Sequence, residues 1–300
     1  MIKFYGEVTV PQRDNDYGVS YRVKLKHNAG FWLTDCYLCM SKNSEDEFIE
    51  SDSFVISYFA KDDDKKFAEQ KIIKAMNLLV YLTRIPYELE NISKIECDTL
   101  PNSNVVISKR KTEMIDKVNE TYSRIKTKKS LLAESLQLFS SALKYDYQFN
   151  YNDDAFFSYF RIIEKISKDD FEINKISIDK GKDKIQIVIQ ELMRENYNVT
   201  LSNNNLENVT GEISKSLYEK VFNNIYSKIS MCLNKRCIVF DPERLGEVVK
   251  LRNKLAHGDL IDMEEYATEV SFVRNISISL IKHKFFGKIK KVYLDSTYLD

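Results

Sequence analysis

The stretch DPERLGEVVKLRNKLAHGDL, Asp241 to Leu260, carries both boundaries of a helix and a pair of side chains that chemistry can use. Asp241 is a natural N-cap, because its carboxylate accepts from the unpaired N–H groups of a first turn. Pro242 suits the first helical position, where no N–H is needed. Gly258 is placed to adopt the left-handed conformation that closes a helix. The stretch predicts a helix over about 242–257, with Val248, Leu251 and Leu255 toward a core and Arg252, Lys254 and His257 toward water. Five steps of about 100° leave Arg252 and His257 about 140° apart. They meet on one phosphate-sized ligand only if the helix end and the length of arginine bring them there. Asn253, four residues before His257, shares its face and is placed to orient the ring or a bound phosphate.

Outward from this helix, apolar spacing predicts others at about 111–126, 130–145, 153–168, 183–196, 212–233 and 262–285. In NDDAFFSYFRIIEKIS, Asp153 or Asp154 is the expected cap, and Phe156, Phe160 and Ile163 form the apolar stripe. The Asn-rich run Asn196–Gly211 reads as a surface loop. The first sixty residues carry strand signals instead, in VSYRVKLKH (19–27), GFWLTDCYLCM (30–40) and SFVISYFA (53–60), followed by helical spacing from Asp62 to about Arg84. Later strand alternation is confined to NVVIS (104–108) and RCIVF (236–240). The expected architecture is an α+β N-terminal domain, residues 1–125, sensory or regulatory, followed by an all-α helical bundle, residues 126–300.

Composition narrows the function. Forty-five basic and forty-five acidic side chains cancel, so no global field draws the chain onto a polyanion, and any such site is local. Two basic segments qualify. Lys109–Lys129 holds eight basic residues against three acidic, with Lys126, Lys128 and Lys129 as candidate RNA contacts, and Ile281–Lys291 holds five lysines and no acid. Either also serves as an ordinary solvated face. If the first guides RNA, reversing the charge of Lys126, Lys128 and Lys129 is expected to weaken binding and flatten its salt dependence; an unchanged salt slope retires that role. No run is long and apolar enough for a membrane span, and the N-terminus lacks a signal-peptide pattern, so a cytoplasmic protein is expected. Five cysteines, an odd number, do not form a disulfide framework. Cys36 and Cys39 read as strand residues on opposite faces, with no second pair to complete a zinc site. Nucleotide-binding glycine loops, HExxH and GxSxG are missing, and neither metal nor cofactor is expected. A second R-x4-H, Arg22 and His27, lies in alternating strand sequence, where an odd separation sends the side chains to opposite faces.

LRNKLAHGDL resembles the R-x4-6-H signature of the HEPN superfamily, in which a polar residue, often Asn, follows the Arg, and a small residue and Gly flank the His. YFRIIEKI, with Glu164 after two apolar residues, is similar to an earlier HEPN helix, notably in the Apea-like subgroup. The resemblance covers roughly residues 128–288. It implies a helical bundle that forms a homodimer, joins two motifs in one cleft and cleaves RNA without a metal. Arg252 and His257 are then catalytic and Asn253 assists. Glu164 either holds a helix in place, by pairing with Arg252 or another base, or touches substrate. The implied substrate is tRNA or mRNA, the implied setting a toxin or antiphage abortive-infection effector, and the N-terminal domain would bind a trigger or inhibitor. The alternative within the family is a non-catalytic scaffold that dimerises and binds a partner protein or nucleotide. Outside it stands a helical interaction module whose basic segments are plain solvent faces.

Overall fold

The computed structural model describes residues 1–11, 30–40, 54–101, 109–124, 129–149, 151–179 and 181–287. VSYRVKLKH with Arg22 and His27, NVVIS, Lys126, Lys128 and the end of the second basic segment lie outside these residues. Lys129 opens a helix, but its side chain is among those not described.

An antiparallel sheet comes first. Strands β1 (Ile2–Thr9), β2 (Gly30–Leu33), β3 (Cys36–Met40), β4 (Phe54–Ala60) and β5 (Glu88–Leu89) run in the order β2-β3-β4-β1-β5, and β6 (Ser93–Glu96) also pairs with β1. Alternation sets which side chains are inside: Phe4 and Val8 of β1 and Cys36 and Leu38 of β3 are buried, while Tyr37 and Cys39 point to the other face. The register Phe4↔Tyr58, Gly6↔Ile56 and Val8↔Phe54 keeps β1 and β4 matched on the buried side. The two short strands β5 and β6 have too few alternating residues to be read from sequence.

Helix α1 (Lys65–Thr83) starts at Asp64, whose Oδ1 accepts from the Phe67 N–H at 3.0 Å, and stops at left-handed Arg84. Its second half is buried on all sides, from Leu78 through Thr83, because it packs on the sheet and on helix α3 (Lys129–Phe149). Tyr81 sits edge-on to Phe139 of α3 at 5.5 Å between centroids and stacks with Phe286 at 5.9 Å, while its hydroxyl donates to the Ile278 carbonyl. Each such aromatic pair adds about 0.5–1.5 kcal/mol beyond the area it buries. Helix α2 (Lys109–Arg124) ties to the β2–β3 turn through Asn119, which accepts from the Thr34 N–H at 2.7 Å and donates to the Trp32 carbonyl at 2.9 Å.

Contacts group the chain into two units, residues 1–162 with 261–300, and residues 163–260. This division differs from a boundary at residues 125/126. Helix α3 buries Leu132, Leu136, Phe139 and Ala142 within the unit that contains the sheet, and α9 (Ala267–Phe285) packs on α3 there. An α+β arrangement followed by helices therefore holds as the order along the chain.

The second unit takes the end of α4 (Asp153–Asp179), then α5 (Lys182–Tyr197), α6 (Asn203–Ser216), α7 (Ile225–Lys235) and α8 (Pro242–Ala256). Four local expectations are corrected. Helix α4 is capped by Asn152, whose Oδ1 accepts from the N–H of Asp154 at 2.7 Å and of Ala155 at 3.4 Å, so both aspartates fall in the first turn. The Asn-rich loop is helix from Asn203 onward, because Ser202 caps it and Leu206, Thr210 and Ser214, four residues apart, form its covered side. The helix expected over 212–233 is interrupted by a π-helical turn, Leu217–Phe222, and restarts at Asn224, whose Oδ1 accepts from the Ser227 N–H at 2.7 Å. RCIVF forms no strand; it is a turn and an extended link to α8.

Candidate active site

Helix α8 is bounded as its sequence demands. Asp241 Oδ1 accepts from the N–H of Glu243 at 2.9 Å and of Arg244 at 3.3 Å, and Pro242 follows. At the other end the Asp259 N–H reaches back to the Lys254 carbonyl at 3.2 Å and the Gly258 N–H to the Leu255 carbonyl at 3.0 Å. With Gly258 at φ +87°, this is a Schellman closure. Leu245, Val248 and Leu251 are buried, and α8 packs on α7, which buries Ile229, Cys232 and Leu233. Leu255 is only half-buried. The closure places His257 as the last capping residue, exposed at the tip.

Of the candidate residues, three come together. The Arg252 guanidinium donates through Nη2 to Glu164 Oε1 of α4 at 2.9 Å, and through Nη1 to Asn253 Oδ1 at 3.3 Å. Arg252 and Glu164 are half-buried, at 29% and 26% side-chain exposure, so the pair is less screened than a fully exposed one. Asn253 and His257 are exposed. No hydrogen bond or ion pair holds the His257 imidazole among the described residues. Within one chain, then, Arg252 is clamped and His257 stands apart, as the 140° divergence requires.

Beside Glu164 lies a cleft of about 260 Å³ lined by Glu164, Lys165, Ser167 and Lys168 of α4 and by Ile225, Lys228 and Ile229 of α7. Lys228 Nζ lies 4.9 Å from the centre of the Phe171 ring. Sequence reading passed over these lysines, although Lys165 and Lys168 at spacing three, immediately after Glu164, were a visible signal of one basic helix face.

A buried polar cluster was also missed. Asp170, nearly buried, ion-pairs with Arg236 and accepts from the Cys232 thiol at 3.3 Å, while Arg236 donates to Cys232 Sγ at 3.2 Å. Burial pushes the Cys232 thiol up to about 11, and burial, aided by Asp35, pushes Cys36 up to about 12. Both therefore stay thiols at neutral pH, and thiolate, the reactive form, appears only as pH approaches those values. Alkylation of the folded protein at pH 8 is expected to label exposed Cys237 first and Cys36 and Cys232 last, and peptide mass mapping against time checks the order. Labelling of Cys232 as fast as Cys237 overturns this account.

Among the described residues no group of three or more His, Cys, Asp or Glu is arranged to hold a metal ion, and no helix is long and apolar enough to cross a membrane. No family model, curated protein or solved structure matches the chain.

Proposed function

We propose that this protein is a HEPN-type, metal-independent endoribonuclease acting as a homodimer, in which Arg252 and His257 of two chains form one site. The observation that carries the reading is the end of α8. A half-buried arginine is fixed by Glu164 and Asn253, and a Schellman turn then presents to solvent a histidine with no polar partner among the described residues.

RNA brings its own nucleophile, the 2′-hydroxyl beside the scissile phosphate. His257 of one chain takes the hydroxyl proton as the oxygen attacks phosphorus. His257 of the other gives a proton to the departing 5′-oxygen, leaving a 2′,3′-cyclic phosphate and a 5′-hydroxyl. Imidazole suits both roles because one ring nitrogen can accept a proton while the other donates one. The two Arg252 guanidiniums stabilise the charge that builds on the non-bridging oxygens. A two-fold axis makes one Arg and one His per chain sufficient. The surface for such pairing has a candidate in α5, which has no buried residue and exposes Ile187, Val188 and Leu192.

The test is cleavage of total tRNA and of a single-stranded RNA in excess EDTA by wild type, Arg252→Ala and His257→Ala, with the product ends identified. Cleavage by wild type alone, leaving a cyclic phosphate, is the expected result, and intact RNA in every lane counts against it. We assign the cell cytoplasm as its place of action and a regulatory role, as in toxins or abortive-infection effectors, to the sheet-containing N-terminal part. A second reading, the non-catalytic scaffold, draws on the same ion pair: Glu164–Arg252 joins α4 to α8 and gives Arg252 a structural task. On that reading Arg252→Ala costs about 1 kcal/mol of stability, and neither it nor the wild type cuts RNA.

A further inference from the structure

We propose that the cleft between α4 and α7 is an RNA track, holding one nucleotide unit beside the scissile phosphate with Lys168 and Lys228 on its phosphates; the inference rests on the ribonuclease reading above. The cleft begins at Glu164, the residue that holds Arg252, so chain leaving the Arg252 side enters it directly. Lysines line it from both helices, Lys165 and Lys168 from α4 and Lys228 from α7, against the single acid Glu164. No ion pair neutralises Lys168 or Lys228 among the described residues. Ile225 and Ile229, four residues apart on α7, supply an apolar wall on which a sugar or base edge rests. At about 260 Å³ the cleft falls just below the ~300–1,000 Å³ of pockets that enclose a drug-sized ligand. Exposed Lys165 and Lys168 at its edge suit an extended polymer passing through rather than a small molecule enclosed. With zero net charge the attraction of a polyanion has to be local, and this cleft offers one such basic surface.

The experiment measures binding of a short fluorescent oligouridylate to full-length protein carrying His257→Ala, so that RNA is not consumed, over a range of salt. Adding Lys168→Ala and Lys228→Ala is expected to lower affinity about tenfold. It is also expected to reduce the slope of log affinity against log salt by about 1.4, two phosphates at about 0.7 each for a single strand. Lys168→Arg with Lys228→Arg keeps the slope, because charge and not packing is at stake. The charge-matched pair Lys66→Ala and Lys74→Ala on α1 leaves it unchanged. An unaltered slope in the cleft variant, or an equal loss in the α1 pair, overturns the track. So does a mononucleotide that binds as tightly as the oligomer, which makes the cleft a small-molecule site. Cleavage assays in parallel separate the two ideas. Cleavage that ignores Lys168 and Lys228 removes the track alone, and cleft-dependent binding without His257-dependent cleavage removes the nuclease reading alone. Absence of any RNA binding removes both.

Discussion

His257→Ala is expected to abolish metal-free cleavage of single-stranded RNA, with kcat/KM falling by about a thousandfold or more. The magnitude follows from what one substitution removes. In a dimeric site each chain contributes the same imidazole, so the change deletes both the base that takes the 2′-hydroxyl proton and the acid that protonates the 5′-oxygen. Each transfer is worth roughly 10²–10⁴. Stability is expected to stay within about 0.5 kcal/mol, because the side chain is exposed and makes no polar contact among the described residues. The shared site adds a sharper test. If wild-type and His257→Ala chains exchange freely, a mixed dimer holds one imidazole and is inactive, so activity falls as the square of the wild-type fraction. A linear fall means that each chain cuts alone, and it removes the shared cleft. A full-strength His257→Ala enzyme removes the catalytic histidine altogether.

What was legible in advance was local. Asp241, Pro242 and Gly258 fix α8 to within a residue, because caps and closures act over four or five positions and carry their own hydrogen bonds. Helix α1 was legible from its helical apolar spacing. The Asn-rich segment misled because Asn favours turns in isolation, whereas here Ser202 caps a helix and packing against α5 sustains it. The break at Leu217–Phe222 had no sequence cue, since its residues suit any helix. The grouping of α3 with the sheet was hidden for a different reason: Leu132 and Phe139 read as one apolar stripe whichever partner covers it, and only packing reveals that α1 does. The site divides in the same way. Arg252, Asn253 and His257 lie within six residues and were visible together. That Glu164, eighty-eight positions earlier, is the group that grips Arg252 is a tertiary fact for which the sequence offered only one of several options.

That grip leads to the second large effect, a coupled loss at Arg252 and Glu164. Arginine presents five N–H donors in a rigid fork. Glu164 occupies one on Nη2 and Asn253 one on Nη1, which leaves three for the phosphate. On the proposed ribonuclease reading Glu164 therefore acts as a positioning residue that holds the fork at a fixed angle and does not compete with substrate. Arg252→Ala is expected to lower kcat about 10²–10³-fold, the range for removing one charge-stabilising donor group. Glu164→Ala is expected to lose about tenfold to a hundredfold, mostly in kcat, while Glu164→Gln, which still accepts the hydrogen bond, recovers much of it. The decisive measurement is the double variant. If Glu164 works only through Arg252, removing both costs no more than removing Arg252 alone, and the coupling energy equals the whole effect of Glu164→Ala. Additive losses mean that Glu164 meets the substrate independently. Loss of stability with kcat unchanged in Arg252→Ala, Glu164→Ala and the double variant leaves the pair as a brace between α4 and α8, and the chemistry then lies elsewhere.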